Sequence, residues 1–232
     1  MVSPSGPGHL DRRAVVIAGY NGNVAVVRSA LGHADDGVRA AALGALARQS
    51  ALEGSDILRA LGDRSHTVQR RAVELAAKPF DPRDGAAITV RIDDALIEML
   101  ARGAASDPAD EHGAVLAEVA AWSLGERHEN GEDAAPEAIV RALCTATTDH
   151  ADPLVREAAV AALGAIGCER ALAAVLQACS DRATVRRRAV LALAAFTGPD
   201  VEAALARATS DRDWQVRQAA EDLLRPSEDR LF

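Results

Sequence analysis

The side chains able to do chemistry are scattered along this chain of 232 residues, which holds six histidines and three cysteines. His128-Glu129 sets an imidazole beside a carboxylate, two side chains that can each donate to a metal ion. Glu111-His112 has the reverse order, and His33, His66 and His150 have no adjacent glutamate. A metal centre needs about four converging donors. One such pair, read in a loop, is better explained as solvated charge, so no metal and no cofactor is expected. Cys144, Cys168 and Cys179 form an odd set without C-x-x-C. Cys168 stands just ahead of a helix beginning at Glu169, where a thiol either has its pKa lowered or merely substitutes for a capping residue. There is no Ser-His-Asp order and no glycine-rich phosphate loop, so no catalytic residue is assigned.

The elements that must position these groups are helices. In Asp152-Pro153-Leu154-Val155-Arg156-Glu157-Ala158-Ala159-Val160-Ala161-Ala162-Leu163-Gly164, residues Val155, Ala158, Ala159, Ala162, Leu163 and Ile166 share one face of a helix. Asp152 and Pro153 open it, because an aspartate accepts a bond from the free N–H groups of the first turn and proline fits there. The phrase recurs as Asp35…Val38-Arg39, Asp63…Val68-Gln69, Asp181…Val185-Arg186 and Asp211…Val216-Arg217, with weaker copies at Leu10-Asp11 and Leu116-Ala117. A second apolar helix lies between copies, clearest at 170–176 and 201–205. The spacing is near 30 residues, that of a helical hairpin. A hairpin of this size cannot bury its apolar face alone and must stack on its neighbours.

The phrase D-x-x-V-R-x-A-A-x-x-A-L-G resembles the HEAT repeat, in the short form of phycobilisome-lyase-type HEAT-like proteins. It covers about residues 10 to 225. The expected fold is therefore all-α, an α-solenoid of six to seven stacked hairpins. The resemblance implies that the repeated Asp and Arg residues (Asp35 with Arg39, Asp152 with Arg156, Asp181 with Arg186, Asp213 with Arg217) pair within and between units as a structural ladder. It also implies that the second helix of each pair lines the concave side. Two HEAT-like enzymes supply the alternative expectation. Deoxyhypusine hydroxylase holds a di-iron centre with several His-Glu pairs, whereas this chain has one. The glycosylases that remove alkylated bases from DNA need a basic concave face with aromatic rings. Phycobilin lyase activity is not implied, since the likeness lies in the generic repeat.

An apolar fraction of 49% is ample for a continuous core, while aromatics are only 3%. A net charge of −8 argues against undirected affinity for nucleic acid or anionic membranes. No apolar run suits a membrane span and none has the pattern of a signal peptide, so a cytoplasmic location is expected. Residues 1–9 and 226–232 read as tails, Leu231 and Phe232 being able to fold back over the last pair. The spacing fails in the middle. An irregular insertion is expected over about 79–93, with a short extended segment at Ile88-Thr89-Val90-Arg91-Ile92, and acidic loops over 105–113 and 126–135.

Aligning the copies on Val155 assigns three positions of each second helix to the open face. They are Arg12, Val15 and Val16; Ala40, Leu43 and Gly44; Arg70, Val73 and Glu74; Glu118, Ala121 and Trp122; Glu157, Val160 and Ala161; Arg187, Val190 and Leu191; and Gln218, Glu221 and Asp222. This lining is mixed in sign, with small apolar residues and one large aromatic. It suits a helix or peptide better than a phosphate backbone. The expected function is a non-catalytic scaffold or adaptor that binds another protein on the concave face through Arg70, Glu74, Glu118, Trp122, Glu157, Arg187 and Leu191, with Trp122 and Leu191 as anchors. Nucleic acid and membrane are not expected as partners.

Overall fold

The computed structural model describes residues 10–78, 85–105, 111–129 and 135–225, and all regular structure among these is helical. The tails, including Leu231 and Phe232, and the centres of the three irregular stretches lie outside the described residues. The fold is an all-α solenoid. The chain divides into two compact units, Met1–Ala95 and Leu96–Phe232. The first contains α1 (Arg12–Tyr20), α2 (Val24–Ser29), α3 (Asp36–Arg48), α4 (Gly54–Leu61), α5 (His66–Ala76) and the beginning of α6 (Gly85–Ala105). The second contains the rest of α6, α7 (Glu111–Arg127), α8 (Glu137–Asp149), α9 (Pro153–Ile166), α10 (Leu172–Ala178), α11 (Ala183–Ala192), α12 (Pro199–Ala208) and α13 (Trp214–Leu224).

Helix starts follow the aspartates. Asp11, Asp35, Asp152 and Asp213 each accept a hydrogen bond from a backbone N–H of the first turn, at 2.7, 2.9, 2.8 and 2.9 Å. Gly167 ends α9 in the left-handed region at φ 67°, where glycine carries no Cβ penalty. In the first unit α1 packs on α2 and α3. Val15 joins Val27, Ala30, Val38, Ala42, Ala45 and Leu46 in one buried cluster.

Two expectations need correction. Ile88 to Ile92 are not extended but lie inside α6, whose apolar residues Ile92, Leu96, Met99 and Leu100 are buried while Val90 is exposed. The alternation of branched residues is a short window on a longer helical period, and the longer period decides the fold. The assignment of three open-face positions per helix is also too broad. Val15, Leu43, Gly44, Val73, Ala121, Val160 and Val190 are buried, whereas Ala158, placed on the core stripe, is half-exposed. A second helix such as α9 packs on α7, α8, α10 and α11 at once, so its buried arc is wider than one amphipathic stripe.

The Asp–Arg ladder runs between repeats rather than within one helix. Arg39 grips Asp63 through Nε and Nη2 at 2.9 and 2.7 Å, Arg156 grips Asp181 at 2.6 and 2.9 Å, and Arg186 grips Asp211 at 2.9 and 2.7 Å. Each pair is 24 or 25 residues apart. The third donor, Nη1, goes to backbone carbonyls: His33 and Ala34 for Arg39, His150 and Ala151 for Arg156, and Asp181 for Arg186. The planar fork thus ties the loop before its own helix to the loop before the next. The equivalent residues of α5 and α7 are Gln69 and Ala117, so the ladder is interrupted where the repeat spacing lengthens.

The ladder holds the carboxyls of Asp63, Asp181 and Asp211 below their ordinary value of 3.8, chiefly through the arginine hydrogen bond and against the opposing effect of burial. A depressed folded-state pKa contributes stability that is present above the unfolded value and lost as pH falls through the folded value. Urea unfolding followed by helical circular dichroism is therefore expected to show stability declining below pH 3.8. In the triple variant Asp63→Asn, Asp181→Asn, Asp211→Asn the decline should be visibly shallower. Identical pH slopes for the two proteins would contradict a role for the ladder in this dependence.

Candidate functional site

In the second unit α7, α9, α11 and α13 pack directly on one another as a row, more extensively than α8, α10 and α12 do. Glycines allow this. A Cβ on Gly125 would lie 2.8 Å from both Cα and Cβ of Ala162, and a Cβ on Gly164 would lie 2.7 Å from Cβ of Ala192. Close backbones leave a shallow floor of small side chains on the open side of the row, bounded by the larger residues on either flank.

A groove of roughly 480 Å³ results over α7 and α9. Its floor is Ala158, Ala161, Ala162 and Ala165, with Gly125 and Val119. Trp122 of α7, 45% exposed, stands at one wall, and Leu154 at the start of α9, 55% exposed, also lines it. The charges around it are Glu118, Glu126 and Glu157, with Arg188 of α11 as the cation. Arg188 approaches Glu157 only to 3.6 Å, a longer and more solvated contact than any rung of the ladder.

Of the residues proposed from the sequence, Glu118, Trp122 and Glu157 come together here. Arg187 and Leu191 are exposed on α11 but do not line the groove; Arg188 does, because one residue along a helix turns the side chain by about 100°. Arg70 and Glu74 belong to the first unit, where Arg70 Nε donates to Glu74 at 3.2 Å along α5 and Arg71 donates to the same carboxylate at 3.1 Å. Leu154, Glu126 and Arg188 were missed. Leu154 follows Pro153 in the first turn, and its exposure follows from the docking of α9, not from any local pattern.

The histidines have a structural task. His33 and His150 occupy the same place in two copies of His-Ala-Asp, ahead of α3 and α9. In each, Nδ1 accepts from the backbone N–H of the aspartate two residues on, at 3.1 and 3.0 Å, and the histidine carbonyl accepts from the ladder arginine. The duplicated tripeptide was the signal available in the sequence. No group of three or more potential metal ligands occurs among the described residues. Cys168 is buried at the start of the turn before α10, with Arg170 Nε 3.2 Å from its sulfur. Burial pushes the Cys144 thiol up and the Cys179 thiol to about 11, which leaves both poor nucleophiles. Among the described residues no helix is long and apolar enough to cross a membrane.

Residues 140–225 match the family model for HEAT repeats. No curated protein matches the chain in sequence. Among solved structures, YibA of Escherichia coli aligns over 95% of this chain and 77% of that one, at 15% identity and a TM-score of 0.63. A designed armadillo repeat protein in complex with the peptide (KR)4 aligns over 87% of this chain and 98% of that one, at 19% identity and a TM-score of 0.58. An engineered protein aligns over 87% of this chain and 95% of that one, at 20% identity and a TM-score of 0.55. At such identities the likeness is one of fold; it agrees with the repeat, the ladder and the stacked helix row, and within that fold residues 140–225 are the part that matches HEAT repeats.

Proposed function

We propose that the chain is a non-catalytic binding scaffold that holds a segment of another protein along its row of second helices, in the groove over α7 and α9. The observation carrying this reading is Trp122, a large apolar side chain left 45% exposed beside an alanine floor on a surface built from packed helices. An exposed indole next to a preformed groove can bury much area with little loss of side-chain freedom, which makes it a suitable anchor. The closer packing of the second helices supports placing them on the concave side, since the tighter row of a stack lies on the inner curve. The carboxylates around the groove favour a protein partner over a phosphate backbone. The complex of the designed armadillo repeat protein with a peptide supports peptide binding as a use of this fold. Arg187 and Leu191, exposed on α11 of the same unit, are proposed as further contacts beyond the groove, and Arg70 and Glu74 of the first unit as contacts of that unit by itself. The odd cysteine set supports a reducing cytoplasm as its location.

Affinity purification from the native cell tests the proposal. Trp122→Ala is expected to weaken partner binding by about 2 kcal/mol, roughly 30-fold, and Glu118→Arg to disturb recovery as well. Trp214→Ala, which removes an exposed indole from α13 outside the groove, should leave recovery unchanged. Equal recovery of every partner by wild type and Trp122→Ala would remove the groove as the docking site.

A further inference from the structure

We propose that the segment held in this groove is cationic, a partner peptide presenting arginine or lysine; the inference rests on the docking reading above and names its occupant. The groove offers two different attractions to one group. The indole of Trp122 presents a negative π face, and an ammonium or guanidinium over such a ring is attracted by the ring quadrupole. Glu118, Glu126 and Glu157 line the same groove, so a cation drawn to the ring also meets carboxylates that can take its N–H groups. An anionic segment would meet three carboxylates against a single guanidinium. A neutral apolar segment would leave those carboxylates partly desolvated without compensation.

Arg188 sharpens the assignment. It is 45% exposed and lies 3.6 Å from Glu157, so the chain's own cation already stands at one edge of the acidic lining, held more loosely than the arginines of the ladder. An incoming guanidinium takes the place Arg188 fills in part, and Arg188 moves into solvent. The long stem of arginine or lysine then lies on the alanine floor while its head reaches the carboxylates.

The test uses the full chain carrying Trp214→Phe, so that Trp122 is the only indole that reports. The peptides (KR)4, (ED)4 and (SL)4 are titrated in turn at physiological salt, with Trp122 emission and calorimetry as readouts. (KR)4 is expected to bind saturably and to change Trp122 emission. Its affinity should fall about tenfold in Glu118→Gln/Glu126→Gln, and rise about threefold in Arg188→Gln. Glu202→Gln, on an exposed face of α12 away from the groove, should leave it unchanged. Thermal melts of each variant confirm that the fold is retained. Binding of (KR)4 that is indifferent to Glu118→Gln/Glu126→Gln would overturn the cationic assignment, as would stronger Trp122-dependent binding of (ED)4 or (SL)4; in the latter case the groove survives as a docking site with another occupant. If none of the three changes Trp122 emission, the assignment and the docking reading fall together.

Discussion

Asp181→Ala is expected to destabilise the protein by about 3 kcal/mol in urea unfolding, because it leaves a buried guanidinium without its carboxylate. The Arg156 side chain is only 13% exposed, and two of its hydrogen bonds end on Asp181. The same carboxylate accepts the backbone N–H of Arg182 at 2.6 Å, so the turn into α11 loses an acceptor as well. Asp211→Ala should behave alike, since Arg186 is 6% exposed and bonded in the same two-pronged way. Removing both partners, as in Arg156→Met/Asp181→Leu, should cost much less than Asp181→Ala alone, because no buried charge is then abandoned. Glu98→Ala breaks an ion pair whose partners are 70% and 68% exposed and should fall within about 0.5 kcal/mol of wild type. A similar loss for Glu98→Ala and Asp181→Ala would show that the ladder contributes no more than surface charge.

The second large effect is expected at Gly164→Ala. The added methyl would stand 2.7 Å from Cβ and 2.9 Å from Cα of Ala192, so α9 and α11 must move apart along the row. Overpacking of this kind costs about 1–3 kcal/mol, although alanine in a helix interior otherwise gains about 1 kcal/mol over glycine. Gly44→Ala provides the contrast. There the nearest atom is Nη2 of Arg71 at 2.8 Å, the far end of a flexible side chain, which can swing aside. Its expected change is small and of either sign. Adding Ala192→Gly to Gly164→Ala should restore part of the loss, since the Cβ contact disappears but the approach to Cα remains. Chemical denaturation of the four proteins decides the matter, and a stabilised Gly164→Ala would show that the row is looser than its distances imply.

These two sites differ in how far they could be read in advance. The aspartate of the ladder was visible in every strong copy of the repeat, and the arginine in every one except the Asp63…Val68-Gln69 copy. Their pairing over 24 or 25 residues was not, because within one copy the carboxylate four residues back is an equally near candidate. The structure gives that nearer carboxylate to the helix N-terminus, as with Asp35 and Asp152, and the arginine to the next loop. The glycines show a pattern that no single copy carries. Gly19 faces Ala45, Gly125 faces Ala162 and Gly164 faces Ala192, each glycine nine residues and each alanine seven residues past the position of its own copy that aligns with Val155. Reading this needs two copies compared in register.

By itself the sequence determined the helices of the regular repeats, though not the start of α6, and with them the all-α repeat fold and most of the core, because apolar periodicity and N-terminal aspartates act within a single helix. It also named Glu118, Trp122 and Glu157, which line one groove over α7 and α9. Only the tertiary structure decided which face positions remain open once each helix is packed on several others, and that α7 and α9 come close enough to make a groove. The same packing brings Leu154 and Arg188 into it, from opposite ends of the local sequence. Burial on a helix is set by how many neighbours surround it and at what distance, and those depend on contacts between residues tens of positions apart.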